Sequence, residues 1–169
     1  MKMDCISFYS SPLGRITLAS DGESLTGLWF EGQKHYGSTL RGVYEEKNLP
    51  VFRQTADWLD IYFGGAEPDF TPPLKLSGTE FQLRVWETLK TIPYGRTVTY
   101  GELAKTLAKQ KGVLRVSAQA AGGAVGRNPV SIIVPCHRVI GADGSLKGYA
   151  GGIEKKEFLL NLEKNNKAV

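Results

Sequence analysis

Thr99-Tyr100-Gly101-Glu102-Leu103-Ala104-Lys105-Thr106-Leu107-Ala108, then a polar turn from Lys109 to Gly112, then Ser117-Ala118-Gln119-Ala120-Ala121-Gly122-Gly123-Ala124-Val125 decide the fold of the C-terminal half. Thr99 and Glu102 form a capping box, in which hydroxyl and carboxylate satisfy free amide donors at a helix start. Leu103, Ala104, Leu107 and Ala108 then recur at helical spacing. Helix, turn, helix is a DNA-binding arrangement and also an ordinary way to pair helices. Apart from Gln119 and Val125, the second helix offers only very small side chains. Each glycine there costs about 1 kcal/mol of helix stability relative to alanine. Some surface must approach that backbone closely, either a neighbouring helix or a narrow groove of DNA.

Working outward, Thr79-Glu80-Phe81-Gln82 is a second capping box, and Phe81, Val85, Trp86 and Leu89 continue it as an apolar stripe until Pro93-Tyr94-Gly95. Downstream, Val130-Ser131-Ile132-Ile133-Val134 reads as a buried strand that must turn at Pro135, which cannot donate to a ladder. Cys136 sits at that turn. Gly141, Asp143-Gly144, Gly148 and Gly151-Gly152 follow, a loop that lets backbone approach a ligand. A final amphipathic helix carries Ile153, Phe158, Leu159, Leu162 and Glu163.

The N-terminal half has a different grammar. Residues 6–30 read as strands around the hairpin dipeptide Asp21-Gly22. Pro50 opens a helix with Val51, Thr55, Trp58, Leu59 and Tyr62 along one face, and Gly64-Gly65 stops it. The Pro-containing stretch from 64 to 78 is the expected boundary between two domains, 1–78 and 79–169. The predicted fold is thus an α/β N-terminal domain and a mostly α, helix-turn-helix C-terminal domain.

Charge follows the same division. Residues 1–78 hold seven Lys/Arg against ten Asp/Glu, whereas residues 79–169 hold fourteen against seven. An acidic support and a basic working half point to nucleic acid as the polyanion, although a solvated basic surface would look the same. No stretch is long and apolar enough to span a membrane, and Met1-Lys2-Met3-Asp4-Cys5 lacks the apolar core of a signal peptide. Two cysteines cannot build a disulfide framework, so a cytoplasmic location is expected.

A thiol becomes a nucleophile only as thiolate, which requires a nearby base or positive field. Cys136-His137-Arg138 offers a base and a fixed cation beside one cysteine. Neighbours in an extended segment point to opposite sides, so His137 would act through a water. Glu163, on the last helix, is the carboxylate chosen to orient the imidazole.

Pro135-Cys136-His137-Arg138-Val139-Ile140-Gly141 resembles the active-site signature of the O6-alkylguanine-DNA alkyltransferases. The resemblance continues through Pro93-Tyr94-Gly95, Val98-Thr99-Tyr100, Gly122-Gly123-Ala124, Asn128-Pro129, Gly148-Tyr149-Ala150-Gly151-Gly152, Lys156-Glu157, Leu159-Leu160 and Glu163. It runs over about residues 79–163, with a looser match before them.

That resemblance implies a winged-helix-like C-terminal domain on a ribonuclease-H-like support, and direct, single-turnover DNA repair. Cys136 would take the alkyl group from O6-alkylguanine in double-stranded DNA, with O4-alkylthymine as a second candidate lesion. His137 would activate it and Glu163 would hold the imidazole. Tyr100 would direct its hydroxyl to the flipped guanine. Val139, Tyr149, Ala150 and Asn128 would bind the substrate, the Ala150 amide facing O6 and Asn128 serving as hinge. Ala118, Gln119, Ala120, Gly122, Gly123, Arg127 and Arg138 would meet DNA, with the small-residue helix in the minor groove. DNA contacts would come from residues 79–169, and Lys/Arg changes in 1–78 would hardly matter. The protein would act as a monomer without a cofactor.

Two departures accompany the match. Many relatives place an arginine on the recognition helix where Gln119 stands, so flipping would be less assisted or shared with Arg127. Some carry zinc in the N-terminal half, where Cys5 and His35 are too few soft ligands, so no metal is expected. Competing readings are a lesion-flagging protein, which would lack Cys136, a hydrolase using the same Cys–His–Glu set, and a transcriptional regulator, which would need an effector domain.

Overall fold

The computed structural model describes residues 3–146 and 148–167. Strands β1 (Asp4–Ser11), β2 (Gly14–Ser20) and β3 (Leu25–Phe30) form an antiparallel meander, and β4 (Tyr44–Glu46) adds to β1 in parallel, giving the order β3-β2-β1-β4. Ile16, Leu18, Leu25, Leu28 and Phe30 are buried in one hydrophobic core. Helix α1 (Pro50–Phe63) contributes Val51, Trp58, Leu59 and Tyr62 to that core. Proline at its first position costs nothing, because the missing amide has no intrahelical acceptor.

The C-terminal region is helical. Both capping boxes form at the starts of α2 (Glu80–Leu89) and α3 (Tyr100–Lys111). Gly112 ends α3 in the left-handed conformation, φ 70°, that a side chain would disfavour. Ser117 caps α4 (Ala118–Gly126) by accepting from the Ala120 amide. Helix α4 packs on α2 and α3 through Ala121, Ala124 and Val125, and the Trp86 indole donates to the Ala124 carbonyl at 2.9 Å. Two short parallel strands, β5 (Val98–Thr99) and β6 (Val139–Ile140), tie the start of α3 to the segment after Cys136. Helix α5 (Ile153–Asn166) closes the chain.

Three expectations change. Val130–Val134 is no strand: Val130 bridges Leu28 of β3, and the chain then coils, with Ile132 at φ 70°. An apolar β-branched run reads identically whether it is laddered or buried in a turn, so the pattern could not separate the two. Cys136–Arg138 is one turn of 3-10 helix rather than extended chain. Helix α5 buries Lys156, Leu159 and Glu163 while Ile153 and Phe158 stay exposed, so its inner face is not simply apolar.

The two halves share one core. Besides the Leu28–Val130 bridge, the Leu28 amide donates to the Pro129 carbonyl and the Ser131 amide returns to Leu28. The sheet edge therefore sets where the Cys136 segment begins.

Candidate active site

Cys136 is 5% exposed at the start of the 3-10 turn, its amide donating to the Val134 carbonyl at 2.8 Å. Asn128 fixes the approach. Its Nδ2 donates to the Val134 carbonyl at 2.7 Å and its Oδ1 accepts from the Val130 amide at 3.0 Å. The end of α4 is thus joined to the cysteine-bearing turn through one buried side chain.

Beside the cysteine, His137 Nε2 lies 2.5 Å from Glu163 Oε2. With Nε2–H donating there, Nδ1 is left as the acceptor, and it has no protein partner among the described residues. Glu163 is surrounded by donors. Tyr62 donates to Oε2 at 2.6 Å, Arg138 reaches both oxygens at 2.8 and 3.2 Å, and the Gly95 amide donates to Oε1 at 3.1 Å. Burial alone would raise this carboxyl, but the hydrogen bonds and charges of His137 and Arg138 hold it well below the usual carboxylate range. Burial keeps the His137 imidazole below its ordinary value, against the pull of Glu163.

Burial also pushes the Cys136 thiol up, while Asn128, the Lys156 charge and the amides of residues 136 and 137 act the other way. Lys156 is fully buried and donates to the Val139 carbonyl at 2.5 Å. Its ammonium lies 5.8 Å from the Tyr100 ring centroid. Tyr100 stands between α4 and the glycine loop: a Cβ on Gly148 would lie 3.0 Å from its hydroxyl, and one on Gly122 would lie 3.5 Å from its ring. Burial thus disfavours charge on both the thiol and the imidazole, while the Lys156 ammonium and the nearby amides favour the thiolate.

Near this set runs a groove of about 550 Å³, lined by Gly122, Gly123, Arg127, Tyr149 and Ala150. Ala118, Gln119, Ala120 and Gly123 form the exposed side of α4. A Cβ on Gly123 or Gly126 would meet nothing within 4 Å, so neither glycine is required by packing inside the protein.

A profile for the 6-O-methylguanine DNA methyltransferase DNA-binding domain matches residues 80–165, and one for the ribonuclease-like domain of the same proteins matches residues 5–76. The chain belongs to the 6-O-methylguanine-DNA methyltransferase family. Relatives include the methylated-DNA–protein-cysteine methyltransferase of Haemophilus influenzae, 45% identical over 94% of this chain and 85% of that protein. That of Methanosarcina acetivorans is 46% identical over 93% and 96%. Among solved structures, Mycobacterium tuberculosis OGT in complex with DNA is similar with a TM-score of 0.82, 45% identity, and coverage of 96% of this chain and 94% of that one.

Of the residues singled out in the family signature, the structure brings together Cys136, His137, Glu163, Asn128 and Tyr100, with Tyr149 and Ala150 at the groove. Val139 is wholly buried, with its carbonyl engaged by Lys156. Arg138 must be corrected: its guanidinium is held inside by Glu163 and the Ile92 carbonyl, leaving it no role at a DNA surface. A basic residue beside an active cysteine reads as a surface cation only until its buried carboxylate partner is seen. Two residues that touch or act on the Cys136–His137–Glu163 set were not singled out from sequence for any role. Lys156 falls with Leu159 and Glu163 at i, i+3, i+7 on the inner face of α5, a spacing that could have flagged it. Tyr62 shared the apolar face of α1, and nothing in that pattern distinguished it.

Among the described residues no group of three His, Cys, Asp or Glu side chains could hold a metal ion, and no helix is long and apolar enough to cross a membrane.

Proposed function

We propose that this chain repairs DNA by moving the alkyl group of O6-alkylguanine onto Cys136, once per molecule. A single observation carries the reading: a buried cysteine, histidine and carboxylate set in a family whose curated members are named for methyl transfer from DNA to cysteine. The target base must leave the stack, because its O6 substituent is inaccessible while paired. Helices α3 and α4, with β5–β6 as the wing-like element, form the DNA-binding unit, and residues 1–78 and 79–169 are its support and working domains. The exposed small-residue side of α4 enters the minor groove. The protein acts as a monomer in a reducing cytoplasm, where Cys136 stays a thiol.

In the reaction, Nδ1 of His137 takes the thiol proton through a bridging water. The thiolate attacks the alkyl carbon, an S–C bond forms, and the C–O6 bond breaks with its electron pair passing to the guanine. Tyr100 donates toward the departing base, and the Ala150 amide faces O6. The thioether product has no route to release. Mass spectrometry after exposure to a duplex containing O6-methylguanine should find one added methyl group on the peptide containing Cys136. Cys136→Ala should bind DNA and accept nothing. Modification of Cys5, or many product molecules per protein, overturns the reading.

A further inference from the structure

One wall of the groove does not come from the basic half. Lys34 and His35, from the segment after β3, line it together with Gly122, Gly123 and Arg127 of the C-terminal half. The segment is fastened in place. The Lys34 amide donates to the Ala150 carbonyl at 3.2 Å, and Phe30 meets Tyr149 edge to face with ring centroids 6.4 Å apart. His35 is held at φ 60°, a left-handed conformation uncommon for a residue with a side chain.

The side chains of Lys34, His35 and Arg127 are all exposed, and no ion pair among the described residues engages them. None of the groove's described lining residues carries a carboxylate. Partial burial, then the charges of Arg127 and Lys34, hold the His35 imidazole below its ordinary value, so basic groups from both halves of the chain already act on one another here. Like charges gathered without a counter-ion are unfavourable until an anion joins them.

We infer that Lys34, His35 and Arg127 form a two-sided clamp for a DNA backbone phosphate beside the extrahelical nucleotide. Arg127 offers a planar fork of donors, Lys34 a point charge and His35 a ring N–H. The N-terminal half thereby contributes directly to DNA affinity, contrary to the expectation that its basic residues hardly matter. The inference rests on the groove receiving alkylated DNA.

The test uses the whole chain carrying Lys34→Ala, Lys34→Arg or Arg127→Ala. Affinity for a duplex containing O6-methylguanine is measured against salt, and Cys136 alkylation is measured on that duplex and on free O6-methylguanine. Lys34→Ala should weaken duplex affinity several-fold and reduce the slope of log affinity against log salt by about one. Arg127→Ala should show the same salt signature. Lys34→Arg should recover most of the affinity, and the free base, having no phosphate, should react with Lys34→Ala near the wild-type rate. Unchanged affinity and slope in Lys34→Ala would overturn the clamp. Equal fractional loss on duplex and free base would also overturn it, by showing that Lys34 merely supports the Ala150 loop. Failure of the wild-type chain to alkylate Cys136 would instead sink the proposed function, and the salt slopes would still judge the clamp.

Discussion

The hydroxyl of Tyr62, on the N-terminal helix α1, donates to Oε2 of Glu163, on the C-terminal helix α5, at 2.6 Å. The same hydroxyl lies 3.5 Å from His137 Nε2, and the ring is stacked on Trp58 with an interplanar angle of 10°. The N-terminal half therefore supplies a hydrogen-bond donor to the carboxylate that pairs with the imidazole. Tyr62→Phe keeps the stacking and removes one donor from a buried carboxylate, a loss of about 1.5–3 kcal/mol for a hydrogen bond to a charged group. With less of its charge drawn off, Glu163 should pull harder on the imidazole proton and raise the His137 pKa. Cys136 alkylation should slow on duplex and free base alike, and the acidic limb of its pH profile should move to higher pH. A lower melting temperature with an unshifted profile would confine Tyr62 to packing.

Glu163 should also govern acid stability. Its folded value is depressed, so its contribution is present above the unfolded value of about 4.3 and is lost as pH falls below it toward the folded value. Glu163→Gln leaves Arg138 buried without its counter-charge, at a cost of about 3–5 kcal/mol. The gap in melting temperature between wild type and Glu163→Gln should be widest at neutral pH and should narrow as pH drops below about 4.3. A constant gap from neutral to acid would show that the carboxylate charge is irrelevant.

Local rules were legible where they act through a few adjacent residues. Thr79 with Gln82 and Thr99 with Glu102 form as written, because capping is satisfied within four residues. The hairpin at Asp21-Gly22 instead opens into a four-residue bend, in which the Asp21 side chain accepts from the Glu23 and Ser24 amides. Cys136, His137 and Glu163 were also legible, through chemical type and the family signature. What could not be read depends on distant partners. The Arg138 guanidinium turns inward to Glu163, 25 residues away, and to the Ile92 carbonyl, 46 away, and Tyr62 meets the Glu163 carboxylate across 101. The Ile132 turn is fixed by its dock on β3, and the fastening of Lys34 by the Ala150 carbonyl. No periodicity within either segment encodes the other.

Lys156 should set the reactivity of the thiol. It is a buried cation whose charge favours the Cys136 thiolate, and its position is fixed by the Val139 carbonyl. Lys156→Met keeps an unbranched chain of similar length and removes the charge. The thiol pKa should rise, and both alkyl transfer and alkylation by iodoacetamide should slow at neutral pH, with recovery at higher pH. Folding should survive, since replacing a buried charge by an apolar chain removes a desolvation penalty. An unaltered pH dependence of iodoacetamide modification would mean that the ammonium does not act on the sulfur.

Gln119 sits exposed in the first turn of α4. Flipping a base costs a few kcal/mol, and a side chain inserted into the vacated stack offsets part of that. Glutamine offers hydrogen bonds and some packing there but no attraction to phosphate. Gln119→Ala should therefore slow Cys136 alkylation on duplex DNA more than on free O6-methylguanine, where nothing needs flipping. Gln119→Arg should be tolerated and should speed duplex repair, most clearly at low salt, where the added charge is least screened. The measurement is the second-order alkylation rate of each variant on the two substrates. Gln119 is exposed whereas Cys136, His137 and Glu163 are buried, and equal fractional loss on both substrates would show that it supports the helix and is not a wedge.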